Sequence, residues 1–296
     1  MGIVMGPNQY GKAEVRIVSV AKNTERHRIK DLNVSTSLRG DFEQTHLTGD
    51  NANVLPTDTQ KNTVYAFAKH APIGEIEDFA LRLGHHFVDT QDPVRGARIL
   101  IDEYAWDRIP VGGTGHDHSF HRTSEEKRTT AVTIDDGKAH VVSGLTDLVV
   151  LKSTGSEFWG YPKDEYTTLQ ETEDRVLATA VTARWRYLRD DLDFGKTFSA
   201  VRETLLEAFA TTHSYALQQT LYEMGRKVLE EHGDVAEVRL SLPNKHHFTV
   251  DLSYCGLDND NEVFFAADRP YGLIEGMVTR DDVEQAPNAW FSLPEF

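Results

Sequence analysis

Hydrophobic and polar positions alternate at the start of the chain. Ala13, Val15 and Ile17 fall on one side, and Lys12, Glu14 and Arg16 on the other. A period of two predicts a half-buried strand. A polar connection at Lys22-Asn23-Thr24 follows, then a second predicted strand over Arg28 to Leu38, and the pair reads as an antiparallel hairpin. Leu55-Pro56-Thr57-Asp58-Thr59 marks a turn and a helix start, with Thr57 or Asp58 as the expected cap. Ile76, Phe79, Ala80, Leu83 and Phe87 recur at helical spacing. Strands are expected again at Ala97 to Trp106 and at Thr129 to Ile134.

The second half repeats the order. Strands are predicted near Ala139 to Lys152 and Val176 to Tyr187, the latter with Leu177, Val181, Ala183, Trp185 and Tyr187 on one face. One helix carries Val201, Leu205, Ala208 and Phe209, and the next Leu217, Leu221, Met224, Val228 and Leu229. Alternation then returns at Val238, Leu240 and Leu242, and at Phe248, Val250, Leu252 and Tyr254. Strand-strand-helix-helix-strand-strand, twice, predicts an α+β protein with antiparallel sheets and helices on one face. The expected division is a domain over 10–137, a second over 138–280 and a loosely attached acidic tail over 281–296.

Composition narrows the function classes. The chain has 296 residues, 39% hydrophobic and 26% charged, enough for a core without disulfide staples. A formal net charge of −16 argues against nonspecific nucleic-acid binding, so a small anionic ligand would need a local cationic pocket. The single Cys255 follows an alternating run and is expected to be a small buried hydrophobe. No stretch has the length of a membrane span, no signal-peptide run opens the chain, and Pro294-Glu295-Phe296 is not a Ser-Lys-Leu address, so a soluble cytoplasmic protein is expected.

Nucleotide-phosphate, dinucleotide and zinc-protease signatures are missing. Gly112-Gly113-Thr114-Gly115 lies outside a strand-turn-helix context and is a poor phosphate cradle. His116, His118 and His121 leave two readings open: on a strand His116 and His118 would share a side and could ligate a metal, or the segment is a polar strand at a subunit contact. Asn244 and His246 sit in a Pro-Asn turn between two alternating runs, where strand ends present functional groups. Taken singly, Phe158, Arg175 and Gln218 read as core, surface cation and solvated helix position.

Taken together, the segments resemble the urate oxidase (uricase) family. The matching pieces are Tyr10-Gly11-Lys12, Thr57-Asp58, Lys61-Asn62-Thr63, His116-Asp117-His118-Ser119-Phe120, Leu151-Lys152-Ser153-Thr154, Phe158-Trp159-Gly160, Asp164-Glu165-Tyr166-Thr167-Thr168-Leu169 and Ser241-Leu242-Pro243-Asn244-Lys245-His246, in order over nearly the whole chain. The resemblance implies tandem tunnelling-fold (T-fold) domains and homotetramers whose sheets close into a barrel, with active sites at subunit interfaces. It implies oxidation of urate by molecular oxygen and water to 5-hydroxyisourate and hydrogen peroxide, without metal or organic cofactor. This weighs against the metal reading of the histidines.

By the same resemblance, Phe158, Arg175, Leu217 and Gln218 bind the purine. Thr57 and Asp58 reach it from a neighbouring chain, and Asn244 and Thr57 hold oxygen or water. Lys12, Thr57 and His246 form a proton-handling triad. These residue types suit a flat anion: a stacking ring, a planar cationic fork and an in-plane amide. Two alternatives are a metal-dependent purine- or pterin-processing enzyme of the same fold and a non-catalytic purine-binding protein.

Overall fold

The computed structural model describes residues 2–122, 124–267, 269–291 and 293. In chain order the elements are β1 (Tyr10–Ala21), β2 (Arg28–Gly40), α1 (Glu43–Thr48), α2 (Thr57–His70), α3 (Ile76–Thr90), β3 (Val94–Tyr104), β4 (Asp107–Val111), β5 (Thr114–His121), β6 (Lys127–Asp135) and β7 (Lys138–Lys152). There follow β8 (Leu177–Tyr187), α4 (Phe194–Thr211), α5 (Leu217–Glu231), β9 (Val235–Asn244), β10 (His247–Thr249), β11 (Phe264–Ala266), β12 (Gly272–Thr279) and α6 (Pro287–Trp290). Apart from the short extra helix α1, the order strand-strand-helix-helix-strand-strand thus occurs twice, each time with a small hairpin, β4–β5 or β10–β11, set in before the last strand.

Contacts divide the chain into two units. The first holds described residues of 2–144, 186–197 and 284–293; the second holds those of 145–185 and 198–283. In the first, the strand order is β1-β2-β3-β6-β7, and in the second β7-β8-β9-β12, the chain passing from one unit to the other within β7. Every pairing whose register is defined is antiparallel. Alternation explains the sheets: Leu32, Val34 and Leu38 of β2 and Leu177, Val181, Ala183, Trp185 and Tyr187 of β8 are all buried. In the first unit α3 seats Phe79, Ala80, Leu83 and Phe87 against β3 and β6, and α2 packs on β1. In the second unit α5 packs on β9 and β12.

One departure from simple alternation matters for chemistry. The β1–β2 register slips between Lys12 and Val15: Lys12 faces Thr36 and Val15 faces Val34, leaving Ala13 and Glu14 opposite Ser35 alone. This is a β-bulge, with Glu14 at φ 56° and its N–H donating to Ser35 Oγ. A bulge reverses the facing of the residues before it. Ala13 is exposed rather than joined to Val15 and Ile17. Lys12 shares the face of Thr36, Val34 and Leu32 instead of the polar face that strict alternation predicts. Just before it, a Cβ on Gly11 would lie 1.8 Å from the Thr36 carbonyl oxygen, so only glycine permits this close approach.

Four further expectations are corrected. The cap of α2 is the Pro56 position without a side-chain hydrogen bond; Thr57 is the first helical residue, and Asp58 turns to Lys61 and Asn62. The run Phe248 to Tyr254 is a strand only to Thr249, then a loop and a 3-10 turn, because the partner of β9 is β12. Cys255 is exposed in that turn. The final acidic segment is not loose over its described part: Ala289 and Trp290 pack with Ala131 and Val142. Buried Arg98 donates to the carbonyls of Asn288 (2.8 Å) and Ala289 (3.0 Å). Burial, with Arg39 nearby, lowers the Arg98 guanidinium to about 10. Ser292 and residues 294–296 of the expected tail lie outside the described residues. Among the described residues, no helix is long and apolar enough to cross a membrane.

Candidate functional site

In the second unit, segments far apart in sequence meet around a cavity of about 500 Å³ lined by Phe158, Arg175, Asn244 and His246. Phe158 is held by a two-way backbone bridge with Thr172, its N–H donating at 2.8 Å and its carbonyl accepting at 3.0 Å. The Tyr161 ring stacks on it, centroids 4.9 Å apart. Arg175, two residues before β8, places its guanidinium carbon 5.1 Å from the centre of the Phe158 ring. Burial pushes the pKa of this guanidinium down, yet an arginine stays charged at neutral pH. The wall therefore joins an aromatic face to a planar cation, against the negative balance of the whole chain.

Asn244 ends β9 opposite Gly272 of β12. His246 follows the Lys245 N–H, which is anchored to the Ala178 carbonyl at 2.8 Å. Its ring stacks with Phe248, and its Nε2 lies 3.4 Å from the Gly272 N–H. Burial first, then the charges of Arg175 and His247, holds His246 below the usual imidazole value. A neutral ring that can accept a proton results. Leu217 and Gln218 are not among the residues lining this cavity. Leu217 is buried and Gln218 exposed in the first turn of α5, whose Ala216 cap position makes no side-chain cap. A Ser156–Ser214 bridge pairs the segment before Phe158 with the segment before α5. The lining also includes Gln170, Asn261 and Phe264, which sequence patterning did not single out because they stand in loops and in the short β11.

Lys12, Thr57 and Asp58 belong to the first unit. The bulge brings Lys12 to the start of α2: its N–H lies 3.3 Å from Thr36 Oγ1, which donates to buried Gln60 of α2, and Tyr10 O–H donates to the Leu55 carbonyl. Asp58 is held below the usual carboxylate range chiefly by the hydrogen bond and charge of Lys61, with Lys12 adding to the effect. Lys12 is half-buried here and Thr57 opens the helix, whose first N–H groups have no intrahelical acceptor.

The histidine cluster lies on β5. The His116 and His118 rings meet edge to face, 4.5 Å between centroids, as same-side placement requires. Asp117 is 3.0 Å from Arg26 instead. Among the described residues no group of His, Cys, Asp or Glu has metal-holding geometry.

The α+β framework thus carries a ring-and-guanidinium wall, an imidazole and a terminal amide, a set of groups whose chemistry suits a planar anion. The uricase family model matches residues 8–133 and 141–275. The uricase of Arthrobacter globiformis is 55% identical over 294 residues, covering 99% of this chain and 96% of that protein. The uricase of Dictyostelium discoideum is 41% identical, covering 92% of this chain and 96% of its own. The crystal structure of the Arthrobacter globiformis uricase superposes with a TM-score of 0.92 at 56% identity, covering 97% of this chain and 98% of that one. The chain belongs to the uricase family.

Proposed function

We propose that this chain oxidises urate with molecular oxygen and water to 5-hydroxyisourate and hydrogen peroxide, using no metal or organic cofactor. The carrying observation is the Arg175 guanidinium over the Phe158 ring in a cavity that also presents Asn244 and His246. Urate is a flat anion with alternating carbonyls and N–H groups. Phe158 stacks on its face, Arg175 and Gln218 grip its edge, and Leu217 adds a backbone contact. The active assembly is a homotetramer, its sheets closed into a barrel. Thr57 and Asp58 arrive from a neighbouring chain, and Asn244 with Thr57 holds oxygen and then water over the ring. Lys12, Thr57 and His246 move the protons. The chain is read as tandem T-fold domains, 10–137 and 138–280, in a cytoplasmic protein.

The direct test follows the urate absorbance band in air, with oxygen uptake and peroxide release. Equimolar loss of urate and oxygen, surviving a chelator, supports the reading. Binding without decay selects a purine-binding protein, and turnover that needs a stoichiometric metal selects the metal-dependent alternative. Light scattering reports the tetramer.

Two variants of this test probe the pocket. Arg175→Ala is expected to raise KM for urate about 10- to 100-fold while changing kcat by less than about threefold, since it removes a charge-assisted contact made in ground and transition states alike. A fall in kcat alone would reassign Arg175. The second concerns pH. With its folded pKa depressed, His246 stays neutral below the ordinary histidine value of about 6.5. Stability linked to this group is present above the unfolded pKa and declines as pH drops through it. The acid limb of kcat/KM should therefore lie below about pH 6.5. It should move upward in Arg175→Ala, where one cause of the depression is gone. A limb that ignores the substitution does not belong to His246.

A further inference from the structure

Ser156 is fully buried in the turn before Phe158, where two parts of the pocket cross. Its carbonyl accepts from the Arg175 N–H at 2.9 Å, and its hydroxyl accepts from Arg175 Nε at 3.1 Å. On the other side it bridges to Ser214: the Ser214 N–H donates to the Gly155 carbonyl (3.0 Å), and the Glu157 N–H donates to the Ser214 carbonyl (2.7 Å). Ser214, also fully buried, accepts from Thr220 Oγ1 of α5 at 2.8 Å. The Glu157 carboxylate closes the turn from outside, accepting from Trp159 Nε1 at 2.7 Å and lying 2.6 Å from His213 Nε2.

We propose that Ser156 is a positioning residue for the purine pocket, acting through Arg175. A guanidinium offers a ligand either its Nε edge or its two terminal nitrogens. With Nε taken by the Ser156 hydroxyl, the Nη1–Nη2 edge is the one presented to a planar anion. The backbone bridge to Ser214 separately ties this turn to the segment that leads into α5. Neither serine stands out in the sequence, because each reads as an ordinary polar loop residue. The inference deepens the pocket reading given above and rests on it.

A double-mutant cycle tests it. Ser156→Ala should raise KM for urate, and the dissociation constant of xanthine as an inert purine probe, about fivefold, the equivalent of one ordinary hydrogen bond, with kcat within about twofold. Ser156→Cys, of similar size but a weak acceptor, should behave the same way and serves if the alanine variant folds poorly. In an Arg175→Ala background the Ser156 substitution should change KM by less than about 1.5-fold, because the partner is already gone. An undiminished effect in that background, or no effect in the native one, overturns the proposal. If Arg175→Ala by itself leaves KM unchanged, the placement of the pocket fails first, which separates the two claims.

Discussion

Replacing Lys12 by methionine is expected to lower kcat for urate by about 10²-fold or more while leaving KM within about threefold, the signature of a lost proton-transfer group rather than a lost binding contact. Methionine keeps most of the side-chain length and removes the ammonium. The argument rests on position. The bulge at Ala13–Glu14 turns Lys12 onto the face of Thr36, and the Thr36–Gln60 hydrogen bond fixes that face against the start of α2. Lys12 thus faces the start of α2, close enough for its charge to act on the Asp58 carboxyl. On the opposite face it would be an ordinary solvated lysine. Steady-state kinetics with oxygen uptake decides the matter: a kcat within threefold of the native chain, or a loss confined to KM, removes Lys12 from the proton-handling group.

The second large effect concerns stability. Arg128→Met should destabilise the chain by about 3–5 kcal/mol, the usual consequence of stranding a buried charge. Arg128 Nη2 lies 2.7 Å from Glu77, which is wholly buried, and Nη1 lies 2.6 Å from Glu75. The Ser143 hydroxyl donates to the other Glu77 oxygen. Burial already pushes the Glu77 carboxyl above its usual range, with Arg128 and Ser143 opposing. Without the arginine, Glu77 must either stay charged in the core or take up a proton. A raised folded pKa means that the folded state binds more protons, so stability is greatest at low pH and is lost as pH rises. The destabilisation, read from denaturant midpoints, should therefore be larger at pH 8 than at pH 5, and Glu77→Gln in the same chain should recover part of it. A loss below about 1 kcal/mol, or one independent of pH, would show that the ion pair contributes little beyond the packing around it.

Much of the framework is legible in the order of residues. Wherever one strand face is buried and unbroken, as in β8, the period of two names the core directly, and the 3.6 period of Ile76 to Phe87 does the same for α3. Periodicity is silent where the period itself is interrupted. Strand β12 has no such signature, because Gly272 and Gly276 break its apolar face and Leu273 and Met277 are exposed. The 248–254 run alternates without being a strand beyond Thr249, because alternation says which side a residue would take but not whether a partner strand exists. Cys255 inherits the same error. The final segment, acidic and proline-containing, has the composition of a free end, and its anchoring by Arg98 is a long-range contact that no local pattern announces.

By itself, then, the chain determines the repeated strand-helix order and the identity of the buried faces, since both are encoded in local spacing, while its pocket residues emerge only through the resemblance to a family. The tertiary structure alone decides which way Lys12 faces, because one bulge residue inverts everything before it. It alone brings Phe158, Arg175 and His246 around one cavity and seats Arg175 on a buried serine. Those outcomes depend on pairings between segments distant along the chain, and hydrophobic periodicity carries information only about neighbours.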